Sequence, residues 1–200
     1  MKSVIDEFLT YQRKVGDRTK LYQMIAEQFQ VKRALYPGSH IDVSPSLVIP
    51  HVIYIDNFKG AISFFKHKED ICEYLEEKKI YQEPLSLDFY GENYYDEFDL
   101  EPVDLIISQY AGFVGQATRQ YLKKGGILLS NDSHGDATLA YHDKEYEFIG
   151  VVNEKNEFIT EGLDAYFKLA KNRVDLDEVR KSMKLPNYQK RAQNYVFRKI

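Results

Sequence analysis

The sequence is poor in cysteine, tryptophan and long apolar runs. Its 200 residues include one cysteine, no tryptophan and only 11 glycines. Cys72 has no second cysteine to pair with, which excludes an intrachain disulfide, and no Cys/His cluster indicates structural zinc. Residues 1–17 lack the apolar core of a signal peptide, and no run of about 18 apolar residues predicts a membrane helix. We therefore expect a cytoplasmic protein without a membrane partner.

The composition is otherwise that of a globular domain. Hydrophobic residues make up 44% of the chain and charged residues 29%, which argues against a disordered or collagen-like protein. The length fits one core with short additions. We expect an N-terminal helical segment over residues 1–30, a main domain over 31–164, and a basic, helical C-terminal extension over 165–200 packed on that domain.

Charge is distributed unevenly along the chain. The net charge of −4 argues against nucleic acid as a partner, because such binding depends largely on Lys and Arg. Residues 69–104 nevertheless hold 13 acidic residues against two lysines, and residues 165–200 hold 10 basic residues against three acidic ones. In one interpretation the two segments form ion pairs with each other or are solvated surface. In the other, the basic segment is a docking tail for a nucleic acid or a protein. The choice between them stays open.

Apolar runs alternate with helix-like stretches from residue 34 onward. Before them, residues 3–29 predict two short helices separated by Gly16-Asp17. Buried strands are predicted at 34–36, 52–55, 85–87, 103–107 and 127–129. Helices are predicted at 61–65, 69–79 and 115–124, the last ended by Gly125-Gly126.

The last part of the chain adds a hairpin and a helix. A polar turn at 153–156 separates residues 146–152 from 157–160, which predicts an antiparallel hairpin, and residues 176–184 predict a basic amphipathic helix. The alternation of strands and helices favours an α/β fold with a doubly wound, mainly parallel sheet, three layers and an antiparallel edge. Ligands of such sheets bind at the carboxyl ends of the strands.

Two of these strand ends carry residues suited to a nucleoside. The first strand runs into Tyr36-Pro37-Gly38-Ser39, where a small-residue turn lets a ligand approach backbone N–H groups. The second ends at Asp56-Asn57, and an acidic residue there can accept hydrogen bonds from ribose hydroxyls. Each feature also has a structural explanation: Gly38 suits any tight strand exit, and Asp56 can cap the next helix.

A further motif, Leu122-Lys123-Lys124-Gly125-Gly126-Ile127-Leu128, lies at the fifth strand. Taken in order, the Gly38 turn, Asp56 and this motif resemble class I S-adenosylmethionine-dependent methyltransferases over residues 30–160. The resemblance implies a Rossmann-like fold and S-adenosylmethionine as cofactor. It implies cofactor contacts from Tyr36, Pro37, Gly38, Ser39, Asp56, Asn57, Asp88, Phe89, Ser108 and Gln109. The chain departs from the family in having a single glycine in the first turn. It also lacks, after strand four, the Asn/Asp-Pro-Pro-aromatic tetrapeptide of enzymes that methylate DNA bases or protein glutamine.

A polar loop follows the fifth strand. It reads Asn131-Asp132-Ser133-His134-Gly135-Asp136, and carboxylate and imidazole groups so spaced can bind a divalent metal or move protons. No established metal-binding spacing is matched, so we assign no metal ligand. Under the methyltransferase resemblance, His134 is a candidate base or substrate contact, and Tyr110 is a candidate aromatic wall or hydrogen-bond donor. Both are our candidate catalytic residues.

Three functions remain at this point. The leading hypothesis is a methyltransferase that uses S-adenosylmethionine and acts on a small-molecule acceptor. The second is a non-catalytic protein of the same fold that binds a partner through its charged surfaces. The third is a metal-dependent hydrolase built on Asp132, His134 and Asp136. Fold alone does not choose among them, and the sequence leaves a homodimer open.

Overall fold

The computed structural model describes residues 3–169 and 174–200. Residues 1, 2 and 170–173, which belong to the expected N-terminal and C-terminal segments, lie outside the described residues. The chain divides into two compact units, Met1–Asp99 and Leu100–Ile200. Each unit combines helices with its own group of paired strands, and each is described separately below.

Unit 1 begins with the two helices that the apolar spacing predicts. They are α1 (Val4–Val15) and α2 (Thr19–Phe29). Ser3 starts α1 with a capping box, since its Oγ accepts from the Asp6 N–H and the Asp6 carboxylate accepts from the Ser3 N–H. Phe8 of α1 and Ile25 of α2 are fully buried. The helices therefore form part of the core of unit 1.

Three parallel strands form the sheet of unit 1 over residues 3–99, the part of this unit that the structure describes. They are β1 (Arg33–Pro37), β2 (His51–Ile55) and β3 (Ser86–Tyr90), in the order β3-β2-β1. A short 3-10 helix, Ser44–Leu47, connects β1 to β2, while α3 (Lys59–Phe65) and α4 (Lys68–Lys78) connect β2 to β3. Because the strands are parallel, the turns after β1, β2 and β3 share one edge of this sheet.

Within its described residues, unit 2 has five strands in the order β4-β5-β8-β6-β7. Of the strand pairs in this part of the chain, β4 and β5 are parallel and the others are antiparallel. The strands are β4 (Val103–Ser108), β5 (Leu122–Ser130), β6 (Tyr146–Val152), β7 (Phe158–Ile159) and β8 (Asn194–Lys199). The helices are α5 (Val114–Ala117), α6 (Asp136–Tyr141) and α7 (Leu176–Ser182).

The predicted fold class is confirmed. Strands β1–β5 all take part in parallel pairs, and the antiparallel hairpin β6–β7 ends the sheet of unit 2. The segment 194–199, which falls in the expected helical extension, is instead strand β8 between β5 and β6. Within the described residues, no helix is both long and apolar enough to span a membrane.

The helix predicted over 115–124 is wrong. The structure has only the four-residue α5 and a 3-10 turn at Arg119–Tyr121 before β5 begins at Leu122. The Gly125-Gly126 pair lies inside β5 and ends no helix. Gly125 has a φ of +78°, which glycine tolerates, and the pairing with β4 shifts from Val103–Leu122 to Leu105–Ile127 across this stretch. The two glycines therefore form an irregularity within a strand.

Candidate functional site

The turn after β1 lies beside the end of β2, at one edge of unit 1. Gly38 has a φ of +65°, and its N–H donates to the Ile55 carbonyl at 2.7 Å, which continues the ladder by one residue. Pro37 pairs with Ile55 in the sheet register. Ser39 is 1% exposed, so its side chain belongs to the interior of unit 1. The backbone around Gly38 is the more accessible part of this turn.

Asp56 links the ends of the two strands. Its Oδ2 accepts from the His40 N–H at 2.7 Å, and its Oδ1 accepts from the Phe58 N–H at 2.8 Å. The residue is 8% exposed, while the neighbouring Asn57 and Phe58 are exposed. The Asp56 carboxylate is thus held rigidly next to the Gly38 turn. This arrangement is stabilising in itself, because charge-assisted bonds to backbone N–H groups are stronger than neutral ones.

Tyr36 points away from this edge into a buried polar cluster. Its hydroxyl donates to Asp42 Oδ2 at 3.3 Å, and the hydroxyl of Tyr22 donates to the same oxygen at 3.2 Å. Arg18 lies 3.4 Å from that oxygen as well. Burial, reinforced by the Asp42 carboxylate, raises the pKa of Tyr36 well above its usual value. The Tyr36 side chain therefore serves the interior of unit 1, and only its backbone borders the turn.

An aromatic stack that the sequence did not predict forms around His40, two residues after Gly38. The His40 ring stacks on Tyr11 of α1 at a centroid distance of 4.9 Å and on Phe58 at 5.3 Å. His40 has a φ of +51°. Phe58 is 54% exposed although it is a large aromatic residue. Nothing in the spacing of these three residues along the chain indicates that they meet.

The structure places Asp88 and Phe89 within β3, before its end. Asp88 pairs with Ile53, and its Oδ2 lies 2.9 Å from Nε2 of His51 at the start of β2. Phe89 stacks on Phe65 with a centroid distance of 4.1 Å. The predicted strand ended at residue 87, whereas β3 continues to Tyr90, so both residues lie inside the strand, and their contact with adenine stays a prediction. Tyr90 is the residue at the edge, where its carbonyl accepts from the Asp56 N–H at 3.1 Å.

In unit 2, the residues after β4 belong to a buried network. Ser108, 2% exposed, donates to Asp136 Oδ2 at 2.5 Å. Gln109, 4% exposed, donates to Asn194 Oδ1 at 2.7 Å and accepts from Asn131 Nδ2 at 3.2 Å. Both predicted contact residues are therefore engaged inside unit 2. We could not predict this from sequence, because the partners lie 22 to 85 positions away.

Tyr110 is exposed, unlike the buried Ser108 and Gln109 that precede it. It is 59% exposed, and its φ of +58° is rare for an aromatic residue. Its N–H donates to Asn131 Oδ1 at 3.4 Å, which ties this turn to the loop after β5. A backbone held in a strained conformation is common where a side chain must be presented to a ligand.

The acidic side chains and the histidine of the loop after β5 bind different partners. Asp132 bonds the N–H and the hydroxyl of Thr138, whereas Asp136 bonds Ser108 and the start of α5. The Nδ1 of His134 lies 2.8 Å from Ser133 Oγ, so the imidazole pairs with its own neighbour. Among residues 3–169 and 174–200, no three His, Cys, Asp or Glu side chains come together as a metal site. The structure does not gather the residues of the hydrolase hypothesis.

Comparison with known proteins identifies the fold. No protein-family model matches the sequence, and no curated protein matches it. Among solved structures, a methyltransferase from Geobacter sulfurreducens aligns over 76% of this chain and 84% of its own, with 11% identity and a TM-score of 0.52. A protein classed as an O-methyltransferase from Klebsiella pneumoniae aligns over 78% and 86%, with 10% identity and a TM-score of 0.51. The chain therefore has the fold of class I S-adenosylmethionine-dependent methyltransferases, at low sequence identity to both of these structures.

Proposed function

We propose that this protein binds S-adenosylmethionine and is a methyltransferase acting on a small-molecule acceptor. The observation that carries the proposal is the position of Asp56, whose carboxylate ends β2 next to the Gly38 turn. In a doubly wound sheet this edge is where nucleotides and nucleosides bind. The fold shared with two methyltransferase-like structures supports the same function without establishing it.

The residues of unit 1 are compatible with the nucleoside part of the cofactor. An ionised carboxylate has about four acceptor positions, and Asp56 uses two of them for the His40 and Phe58 N–H groups. The others suit the two ribose hydroxyls, and exposed Phe58 and Asn57 suit the base and its polar rim. The Gly38 and Ser39 backbone suits the methionine part. When bound, S-adenosylmethionine supplies a methyl group already activated on a sulfonium.

Tyr110 and His134 remain our candidates for the acceptor step. Tyr110 offers an exposed ring and hydroxyl. The bond between Ser133 Oγ and His134 Nδ1 fixes the orientation of the imidazole, a requirement for a group that accepts a proton from a bound molecule. A strong base is dispensable when the acceptor is already nucleophilic, because alignment supplies most of the rate.

Titration calorimetry with S-adenosylmethionine and S-adenosylhomocysteine tests the proposal. We expect both to bind, and we expect Asp56→Asn to weaken the binding of S-adenosylhomocysteine about tenfold to a hundredfold, the range for lost hydrogen bonds to a charged group. The matched control is Asp70→Asn, an acidic residue of the same unit whose side chain is 64% exposed on α4. Equal weakening by both variants would contradict the role of Asp56.

A second candidate is a non-catalytic protein of the same fold. It is favoured by the low exposure of Asp56 and by the stack of Tyr11 and Phe58 on His40, whose N–H binds the Asp56 carboxylate. In that case the carboxylate is a structural link between the turn and β2. The absence of calorimetric heat and of any thermal stabilisation with either nucleoside would select this candidate, since a ligand that binds the native state must raise its stability.

A further inference from the structure

Unit 2 contains a cavity of about 200 Å³ that the proposed nucleoside site does not use. Three segments form it: the turn after β4, the loop after β5, and the chain that leads into β8. The residues that matter for its chemistry are Tyr110, Asp132, Ser133, Leu185, Arg191 and Tyr195. Pockets for drug-sized ligands usually exceed ~300 Å³, so this cavity suits a smaller molecule.

Asp132 gives the cavity a buried negative charge. The residue is 8% exposed, its Oδ1 accepts from the Thr138 N–H at 2.9 Å, and its Oδ2 accepts from the Thr138 hydroxyl at 2.8 Å. About four acceptor positions are present on a carboxylate, so at least one is left for a ligand. Burial raises the pKa of Asp132, and a bound cation would favour its charged form.

Two tyrosine rings and a leucine give the same cavity apolar walls. Tyr110 is held in the left-handed region at a φ of +58° and is 59% exposed, so backbone strain is used to present its ring at the opening. Tyr195 is 1% exposed, and its hydroxyl accepts from the Ala192 N–H at 3.1 Å. An aromatic wall beside a carboxylate attracts cations, because the face of the ring carries partial negative charge.

Arg191 is the other charged group of the lining. Its guanidinium donates to the Pro186 carbonyl at 3.3 Å, and the residue is exposed. An anion bound by such an arginine gains little, because exposed ion pairs are weak in water. A hydrogen bond to the rigid, buried carboxylate of Asp132 is stronger, because the acceptor is charged and shielded from water. The balance therefore favours a cationic ligand over an anionic one.

We propose that this cavity binds a small primary amine with an apolar body, its ammonium group on Asp132 and its body against Tyr110 and Tyr195. This proposal rests on the proposed function in one respect: the amine would be the methyl acceptor of that reaction. Binding of the amine itself does not depend on the cofactor.

Three probes of similar size test the proposal by calorimetry and by NMR of labelled protein. They are 2-phenylethylamine, the neutral 2-phenylethanol and the anionic 3-phenylpropionate. We expect the amine to bind about tenfold more tightly than the alcohol, to bind more tightly than the propionate, and to shift the resonances of the cavity. Asp132→Asn should remove the preference for the amine. Asp177→Asn is the matched control, since its side chain is 97% exposed on α7 of the same unit.

Arg191→Ala tests the sign of the charge on the ligand. The amine should bind slightly more tightly, because a repulsive charge is removed, whereas an anion would bind less tightly. If Asp132→Asn fails to fold, Tyr110→Gly replaces it, since glycine relieves the strain at this φ and removes the ring. We expect that variant to fold and to bind the amine several times more weakly.

Tighter binding of the propionate, no shifts with the amine, or unchanged binding in folded Asp132→Asn or Tyr110→Gly would overturn the proposal. Its failure is distinct from failure of the methyltransferase function. Amine binding without S-adenosylhomocysteine binding would leave the cavity assigned and refute the methyltransferase. The reverse result would refute the amine site alone.

Discussion

The carboxylate of Asp136 is a buried hydrogen-bond acceptor of unit 2. It is 1% exposed and accepts from the Ser108 hydroxyl and from the N–H groups of Gly115 and Gln116. One side chain thus holds together the end of β4 and the start of α5. Burial raises its pKa to about 6, although those three bonds act in the opposite direction. Desolvation is therefore the stronger of the two effects at this residue.

This pKa predicts how stability depends on pH. The folded pKa lies above the ordinary value of 3.8, so between these values the folded state binds more protons than the unfolded state. The contribution of Asp136 to the free energy of unfolding therefore decreases as pH rises from about 4 to 7. In urea unfolding, we expect the wild type to gain about 2 kcal/mol over Asp136→Asn when pH is lowered from about 7 to 4.5. The control variant is Asp177→Asn, whose side chain is 97% exposed on α7.

At the scale of the element, the first half of β5 is the segment whose secondary structure the sequence predicted wrongly. Two lysines followed by two glycines are typical of a helix end, so the pattern predicted a helix. The pattern does not record that Leu122 pairs with Val103 and that the ladder resumes at Ile127. Pairing between residues far apart in the chain determined that this segment is a strand, and it also determined the position of β8.

Strand ends such as Gly38 and Asp56 were predictable because local signals mark them. The bonds of Asp56, Gln109 and Asp136 were not, since their partners come from elsewhere in the chain.

The short helix α5 depends on a glycine that leaves room for a neighbour. A Cβ atom at Gly115 would lie 2.5 Å from Asp136 Oδ2 and 3.0 Å from Leu128 Cδ1. We expect Gly115→Ala to lower the free energy of unfolding by about 1–3 kcal/mol, the usual cost of overpacking, despite the better helix propensity of alanine. Gly91→Ala is the control in chemical denaturation. Gly91 is exposed, and its nearest neighbour is a side-chain atom of Ile62 at 3.2 Å.

At the scale of the whole molecule, the two units carry different parts of the proposed chemistry. Unit 1 holds the Gly38 turn and Asp56, and unit 2 holds the buried amide network and the Asp132 cavity. The sheet of unit 2 is completed by β8, which pairs antiparallel with β5 on one side and β6 on the other. Val196 and Phe197 of this strand are fully buried.

Removal of residues 194–200 should therefore prevent unit 2 from folding. The deletion leaves β5 and β6 without their common neighbour and exposes the core that Val196 and Phe197 cover. We expect loss of near-ultraviolet circular dichroism from the tyrosines of unit 2 and loss of its cooperative thermal transition. Deletion of Ile200 alone, which is 58% exposed, is the control. A truncated protein that retains the full dichroism and a single sharp transition would contradict this expectation.

The position of β8 also affects how the protein is made. A ribosome synthesises β5 and β6 before β8, and about 40 residues separate the end of β6 from the start of β8. At roughly 5–20 residues per second, the nascent chain spends about 2–8 seconds with the facing edges of β5 and β6 unpaired. Such edges are templates for pairing with other chains. Translation speed across residues 153–193 and the presence of chaperones should therefore influence the yield of native protein.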